Sequence, residues 1–208
     1  MKIVRTISVL AQVLLAVCAA KGQIKLQNPS FEGLPQENEP PAGWGVCNAG
    51  SSPDVQPGVW GVTLQAADGN SYVGLTTRAD GTVEDLTQRL SQPLRTNECY
   101  EMSLKLARSS VYAGFRLPVR LRVWGGTSSC ERTELLATTR LVKNTTWETF
   151  KLSFYIKKNA YQYLIFEPYY GAGVRQPYKG NLLLDDCSEL QRCPRALRQG
   201  KVRKKRFF

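Results

Sequence analysis

The chain contains 208 residues, of which 42% are hydrophobic and 10% aromatic, and this composition excludes an intrinsically disordered protein. It has no histidine, which excludes Ser-His-Asp and Cys-His catalytic sites, histidine-ligated metals and imidazole pH switches. The net charge of +11 lies in the termini, since residues 1–22 and 192–208 are basic and free of acids, and positive and negative charges balance between them. This balance argues against nucleic-acid binding, which needs cations on the folded surface.

The first 22 residues have the pattern of a cleaved export signal. A basic start precedes an apolar run at residues 7–20 that is too short to span a bilayer. Two cleavage points fit, one after Ala20 and one after Gly22. Val17 argues against a lipoprotein signal, because that position normally holds a small residue. We expect a Sec-type signal, no transmembrane segment after its cleavage, and a secreted, periplasmic or cell-surface protein.

The central part of the chain, residues 23–191, reads as strands. Apolar and polar residues alternate with the period of half-buried strands in three clear runs, at residues 100–106, 117–123 and 150–156. Leu182–Leu184 predicts a more fully buried strand, and no segment of 12 residues has helical periodicity. We therefore predict an all-β fold, an antiparallel β-sandwich of the jelly-roll type.

The cysteines predict disulfides. Cleavage of the signal removes Cys18 and leaves five cysteines, at positions 47, 99, 130, 187 and 193. An oxidising compartment favours bridges, and an odd number allows at most two within one chain. The sequence does not give the pairing, and we expect the spare thiol to be buried.

Three separated segments carry a resemblance to a known family. They are Asn28–Gly33 followed by Gly43-Trp44, then Ala67–Leu75, and finally Asn181–Asp186. In this order they resemble the carbohydrate-binding modules of the galactose-binding-like jelly-roll superfamily, especially families 4, 9 and 22. The match covers residues 26–190. It implies a galactose-binding-domain-like fold with its first strand at residues 28–33, and a non-catalytic protein that binds glycan or polysaccharide.

The same segments predict a structural calcium site. Side-by-side first and last strands would bring Glu32 and Asp185 together near Asp68, and three carboxylates without a cationic partner repel each other unless a hard cation binds. The resemblance also implies Ca²⁺ here. Carbonyl ligands would come from Ser30 and Ser71, and Asp186 would replace Asp185 if the register slipped by one residue. The alternative is that these acids cap turns or face solvent.

Aromatic residues in loops and at strand ends are the predicted ligand contacts, because sugars stack on aromatic rings and polar side chains read their hydroxyls. Trp60 and Tyr170 lead this set. The full set is Trp60, Tyr112, Trp124, Tyr169, Tyr170 and Tyr178, with Arg78 and Arg108 as the better polar contacts and Asp54, Gln56, Glu84, Arg122 and Gln176 as further ones.

Three functions remain open at this stage. The leading one is a secreted, calcium-stabilised, non-catalytic carbohydrate-binding module, and the second is a cell-surface adhesion or scaffold module that binds protein. The third is a small glycoside hydrolase, which would need two carboxyls across a cleft. Glu84 and Glu167 are among the candidate carboxyls, but the sequence does not pair them. The basic tail, residues 192–208, would be solvated or would dock on an anionic surface.

Overall fold

The computed structural model describes residues 23–194, so the predicted signal and residues 195–208 of the predicted tail lie outside the described residues. Within them the regular structure is all-β apart from one short 3₁₀ turn, Val59–Gly61, and no helix could cross a membrane. The strands are β1 (Asp54–Gln56), β2 (Tyr72–Thr77), β3 (Leu86–Leu94), β4 (Cys99–Ala107), β5 (Leu117–Pro118), β6 (Arg120–Gly126), β7 (Glu134–Thr138), β8 (Glu148–Tyr155), β9 (Tyr161–Tyr169), β10 (Gly180–Asp185) and β11 (Gln191–Arg192).

The strands form two sheets packed face to face. The seven-stranded sheet has the order β1-β2-β10-β4-β11, with β8 also pairing with β4 and β5 with β10. The four-stranded sheet has the order β3-β9-β6-β7. All pairs are antiparallel except the two-residue pairing of β5 with β10. Some neighbouring strands, such as β2 and β10, are distant in sequence, and the connections between them cross from one sheet to the other as in a jelly roll. The predicted fold class is confirmed.

Strand alternation builds the main core between the sheets. In β4, Met102, Leu104 and Leu106 are buried while the residues between them are partly exposed. Leu121 and Val123 of β6 pack into the same core from the other sheet. Full burial of one such side chain contributes about 1.5–3 kcal/mol, so the period-2 pattern fixes which face each strand turns inward.

Strands β2 and β10 are buried on both faces. All of their residues are buried, and Leu182–Leu184 is the buried strand that the sequence predicts. Val73 and Leu75 of β2 face the main core, whereas Tyr72 faces a second apolar cluster on the outer side of the sheet. The loops at residues 58–66 and 109–116 supply part of that second cluster, so they cover the sheet where solvent would otherwise reach it.

The segment at residues 28–33 is a turn rather than the predicted first strand. Asn28 and Phe31 have positive φ angles of 45° and 55°, which no strand accommodates. Phe31 is nevertheless fully buried against Trp44, whose indole N–H donates to the Asn28 carbonyl at 3.0 Å. The segment therefore contributes to the core through a tight turn that packs on the sandwich.

Two disulfides join distant parts of the fold. They link Cys47 to Cys130 and Cys99 to Cys193, while Cys187 is a buried free thiol. The limit of two bridges and the burial of the spare thiol are confirmed. Because Cys193 is bonded to β4, the folded part of the chain continues two residues beyond position 191.

Removing the Cys99–Cys193 bridge should destabilise the protein. The bridge spans 94 residues, and its loss should lower the free energy of unfolding by about 2–5 kcal/mol, since the unfolded chain gains entropy. The measurement is urea unfolding of wild type and of the Cys99→Ser/Cys193→Ser double variant. Under reducing conditions the two proteins should converge; equal stability under oxidising conditions would contradict the prediction.

Candidate functional site

A cluster of buried polar side chains lies on the outer face of the seven-stranded sheet, beside the second apolar cluster. It begins at β1, which pairs with β2 so that Asp54 lies opposite Gly74 and Gln56 opposite Tyr72. Asp54 and Gln56 are 4% and 0% exposed. Buried polar groups are costly unless they are hydrogen-bonded, so their partners indicate how the cluster is held together.

The Asp54 carboxylate accepts hydrogen bonds from two parts of the chain. The Asn38 backbone N–H donates to Oδ1 at 2.9 Å and the Tyr112 hydroxyl donates to Oδ2, while the nearby Trp60 side chain also favours the ionised carboxylate. Burial nevertheless raises the pKa of Asp54, because the loss of hydration outweighs these donors.

Tyr112 reaches Asp54 across Gly74. A Cβ atom at Gly74 would lie 2.6 Å from the Tyr112 hydroxyl oxygen, so no larger residue fits beneath the ring. The loop that carries Tyr112 is fixed by Asn181 of β10, whose amide bonds Ser109 in both directions at 2.7 Å. Burial, followed by the Asp54 charge, raises the pKa of Tyr112 well above its usual value, so the phenol remains a donor.

A second buried carboxyl, Glu84, lies close enough to interact electrostatically with Asp54. Its Oε1 accepts from Arg78 at 2.7 Å and from Ser52 at 3.1 Å, and its Oε2 accepts the Thr76 backbone N–H at 2.8 Å. Burial raises the pKa of Glu84 to about 7, against the opposing effects of Thr76 and Arg78, and the charge of Asp54 adds to the rise. Glu84 therefore retains a proton close to neutral pH, and Asp54 and Glu84 together are called the acid pair below.

Trp60 connects the acid pair to the surface. It lies in the 3₁₀ turn with a positive φ of 52°, and it is 50% exposed although its side chain is close enough to Asp54 to lower the pKa of that carboxyl. The Ala113 N–H approaches the Trp60 carbonyl at 3.4 Å, and the neighbouring Val111 is 51% exposed. A buried acid thus lies directly beneath an exposed apolar surface, which suits a ligand with an apolar body.

The remaining predicted ligand contacts lie elsewhere. Tyr170 is buried and donates to the Arg78 carbonyl at 2.8 Å, and Tyr178 donates to the Pro118 carbonyl at 2.8 Å. Both tyrosines therefore tie loops to the sandwich. Arg108 donates to two backbone carbonyls, each at 3.1 Å, in the loops beside β4 and β5.

Trp124 and Tyr169 lie half-buried on the outer face of the four-stranded sheet. The Trp124 indole N–H is 3.4 Å from the Glu167 carboxylate, and the Tyr169 ring lies under the Arg122 guanidinium. The structure therefore brings Trp60, Tyr112 and Arg78 together around the acid pair and leaves these two aromatic residues on the opposite sheet.

The predicted calcium ligands gather around one loop, residues 67–71. Glu32 accepts the backbone N–H groups of residues 70 and 71, and Asp185 accepts those of residues 67 and 68. The Ser30 hydroxyl donates to Asp68 at 2.7 Å, and the Ser71 hydroxyl donates to the Phe31 carbonyl and to Glu32. Within residues 23–194 no three acidic or cysteine side chains are arranged to hold a metal ion. Calcium therefore stays a prediction.

The sequence named Asp54 and Glu84 as polar contacts but did not pair them. They are 30 positions apart, and they meet because β1 pairs with β2 while the chain after β2 turns back. The Glu84 N–H bonds the Thr76 carbonyl at 3.0 Å in this return. The turn-rich segment from Asp54 to Trp60 indicated a possible binding loop. Nothing in the sequence indicated that this loop packs beside residues 76–84. The protein is therefore a jelly-roll sandwich whose candidate site is the acid pair next to the exposed Trp60.

Comparison with known proteins then gives the family. Residues 22–164 match the model of the HpiC1-like family, described as HpiC1 cyclase, and the chain belongs to this family. No curated protein sequence matches the chain.

Solved structures share the fold. The Stig cyclase Fisc from Fischerella sp. TAU, in complex with (3Z)-3-(1-methyl-2-pyrrolidinylidene)-3H-indole, is 16% identical, with a TM-score of 0.54 over 83% of this chain and 98% of its own. A cyclase from Fischerella sp. TAU, in complex with 4-(1H-indol-3-yl)butan-2-one, is 15% identical over the same shares, with a TM-score of 0.56. The CBM22-1 xylan-binding domain of Paenibacillus barcinonensis Xyn10C is 18% identical, with a TM-score of 0.50 over 84% and 97%.

These findings correct the predicted function. The expectation of a non-catalytic carbohydrate-binding module, and hence of a protein that is not an enzyme, is wrong because the family is one of cyclases. The resemblance to carbohydrate-binding modules is confirmed for the β-sandwich fold alone. It misled because binding modules and enzymes share this sandwich, and fold does not determine function.

The raised pKa of Glu84 predicts a pH-dependent stability. Between pH 4.5 and about 7 the folded protein keeps a proton that the unfolded chain has lost, so the free energy of unfolding falls as pH rises through this window. The total fall is up to about 3 kcal/mol. Urea unfolding across this range should show a shallower slope for Glu84→Gln than for wild type.

The matched control is Glu101→Gln, which removes a partly exposed carboxyl from β4 and should leave the slope unchanged. Identical slopes for wild type and Glu84→Gln would show that Glu84 ionises normally in the folded protein.

Proposed function

We propose that this protein is an enzyme that catalyses the acid-promoted cyclisation of an apolar, unsaturated small molecule. The observation that carries the proposal is the acid pair, Asp54 and Glu84, which holds a proton near neutral pH directly beneath exposed Trp60, in a chain of a cyclase family. General acids work best when their pKa lies near the working pH, and burial brings Glu84 into this range.

The chemistry needs a single proton and no redox partner. The acid pair would donate a proton to an unsaturated carbon of the substrate, creating a carbocation. A second unsaturated bond would attack that carbon and close the ring with a new C–C bond. Loss of a proton from the ring-closed cation would then restore the acid pair. The product is an isomer of the substrate, so no oxidant, reductant or leaving group is involved.

Each residue around the pair has a defined role in this scheme. Asp54 is the proton donor beside the exposed surface and recovers its proton from the ring-closed cation. Glu84, whose pKa of about 7 lies close to neutral pH, sets the charge near Asp54. Tyr112 positions Asp54 through the hydroxyl that lies over Gly74. Trp60 would support the apolar substrate and stabilise the cation over its ring, an interaction of about 0.5–2 kcal/mol.

An aromatic, indole-like substrate class agrees with the neighbouring structures. Two cyclases of the same fold have been solved with indole compounds. An indole is flat and apolar, so it would stack on Trp60 and cover Val111, and its electron-rich ring is a good nucleophile toward a carbocation. For this chain the substrate class is part of the proposal.

Binding of 4-(1H-indol-3-yl)butan-2-one tests where the substrate sits. We expect saturable binding by calorimetry, weakened at least tenfold in Trp60→Ala because the stacking surface is lost. Tyr155→Ala, which removes an aromatic ring that is 43% exposed on β8, should bind like wild type. Equal affinity in wild type, Trp60→Ala and Tyr155→Ala would show that Trp60 does not contact the ligand.

Turnover tests the acid. Indoles that carry an alkene side chain should yield products of unchanged mass and altered retention. Asp54→Asn should lower the rate by about 10²–10⁴-fold, the contribution of a general acid, with a melting temperature close to that of wild type. Glu84→Gln should shift the alkaline limb of the pH–rate profile. Isomerisation that survives in a folded Asp54→Asn/Glu84→Gln variant would overturn the proposal.

Calcium and export remain proposals beside the enzyme function. The carboxylates of Glu32, Asp68 and Asp185 surround one loop, and no ion pair in residues 23–194 compensates their charge. That excess of negative charge supports a structural Ca²⁺ ion, which would fix the loop and take no part in the reaction. The two disulfides support an oxidising compartment, as export through the predicted signal would provide.

The calcium proposal predicts a melting temperature that depends on the metal. Adding 1 mM CaCl₂ to EDTA-treated protein should raise it by several degrees, since an ion that binds only the folded state stabilises it by mass action. Glu32→Gln should abolish the increase, whereas the control variant Glu101→Gln should retain it. A melting temperature that is the same with calcium and with EDTA would leave this loop held by hydrogen bonds alone.

A further inference from the structure

We propose a second binding site, for an organic carboxylate, on the outer face of the four-stranded sheet. A row of charged side chains crosses this face, beginning at Asp85, the residue after Glu84. The row runs from Asp85 through Arg132 and Glu167 to Arg122, and it ends at Arg120. The first four residues are paired with one another, and the last has no carboxylate partner in residues 23–194.

The paired part of the row is rigid and buried. Arg132 bonds Asp85 through one terminal nitrogen and Glu167 through Nε at 2.8 Å, and Arg122 lies 3.8 Å from the other oxygen of Glu167. Asp85 and Glu167 are 0% and 6% exposed. Solvent does not screen these two buried carboxylates, so their attraction holds the arginine side chains in place.

The pairing of β6 with β9 places Arg120 next to the paired residues of this row. In the β6–β9 pairing Arg120 lies opposite Tyr169 and Arg122 opposite Glu167, so all four side chains share the outer face. The Arg122 guanidinium carbon is 3.0 Å from the centre of the Tyr169 ring, so the guanidinium lies directly against the ring. The end of the row is thus built from two neighbouring arginines over one tyrosine.

The charge at this end is not balanced within the described chain. Arg120, Arg122 and Arg132 contribute three positive charges against the two carboxylates of Asp85 and Glu167. The Nε–H groups of Arg120 and Arg122 are enclosed and have no acceptor among residues 23–194. Enclosed donors without acceptors are uncommon in folded proteins, and here they accompany an uncompensated cation.

The missing member of the row is a carboxylate. Arginine presents a planar fork that matches a carboxylate with two parallel hydrogen bonds, and in this row Arg132 already bonds one oxygen of Glu167 and one of Asp85. A third carboxylate, bound to Arg120, would neutralise the surplus positive charge. The Tyr169 ring beside it offers an apolar contact for the organic part of the ligand. The inference rests on the arginines of this face and does not depend on the cyclase proposal.

Titration with sodium benzoate and sodium acetate, at an ionic strength held constant with sodium chloride, tests this inference. We expect saturable calorimetric binding to the wild-type protein, with benzoate stronger than acetate. Arg120→Gln should weaken benzoate at least tenfold, because it removes both the charge and the fork. Arg120→Lys should give an intermediate loss, and this conservative variant covers the case in which Arg120→Gln fails to fold.

The matched control is Arg89→Gln, which removes the same charge from an exposed position on β3 of the same sheet and should bind benzoate like wild type. An equal loss of benzoate affinity in both variants would show that binding responds only to the net charge of the protein, and it would overturn the proposed site. Inorganic phosphate or sulfate that binds as tightly as benzoate would overturn the assignment to carboxylates. Absence of benzoate binding to the wild-type protein would overturn the proposal altogether.

Discussion

The burial of both faces of β2 and β10 is the constraint on which this structure depends. One face packs on the opposite sheet, as in any sandwich, but the other would meet solvent unless loops covered it. The covering loops bring Tyr112 over Gly74 and Trp60 over Asp54. Polar groups at the edge of this covered region lose their hydration, and this loss is what raises the pKa values of Asp54 and Glu84.

The sequence predicted the sandwich because strand burial leaves a direct pattern. The alternation at residues 100–106 lies within β4 and that at 150–156 covers most of β8, while the apolar run Leu182–Leu184 lies in the fully buried β10. The alternating run at 117–123 does not form one strand. It divides into β5 and β6 at Val119, whose carbonyl bonds the N–H of Val142, outside the sheets. Period-2 reasoning detects a face but not where a strand changes partner.

The candidate site was harder to predict, because its properties belong to pairs of residues that tertiary structure brings together. Asp54 and Glu84 look like ordinary loop acids in the sequence, and their altered pKa values arise only after two loops and a strand pairing enclose them. The absence of histidine also weighed against catalysis. Histidine is needed for Ser-His-Asp and Cys-His sites, but the proposed acid-promoted cyclisation needs only a carboxyl that keeps its proton. The aromatic residues were ranked by loop position, and that criterion selected Trp60 together with Tyr170, which is buried.

The charge environment of the carboxyls decides which of them can act as the acid. Glu167 lies in a strand of aromatic residues, yet it is paired with two cations, Arg132 and Arg122. Within residues 23–194 Asp54 accepts hydrogen bonds from Asn38 and Tyr112 and pairs with no cation, and Arg78, the cation at Glu84, does not outweigh the effect of burial. The two sheets therefore divide the chemistry. The four-stranded sheet pairs its carboxylates with arginines, whereas burial at the covered edge of the seven-stranded sheet raises the pKa values of Asp54 and Glu84 near Trp60.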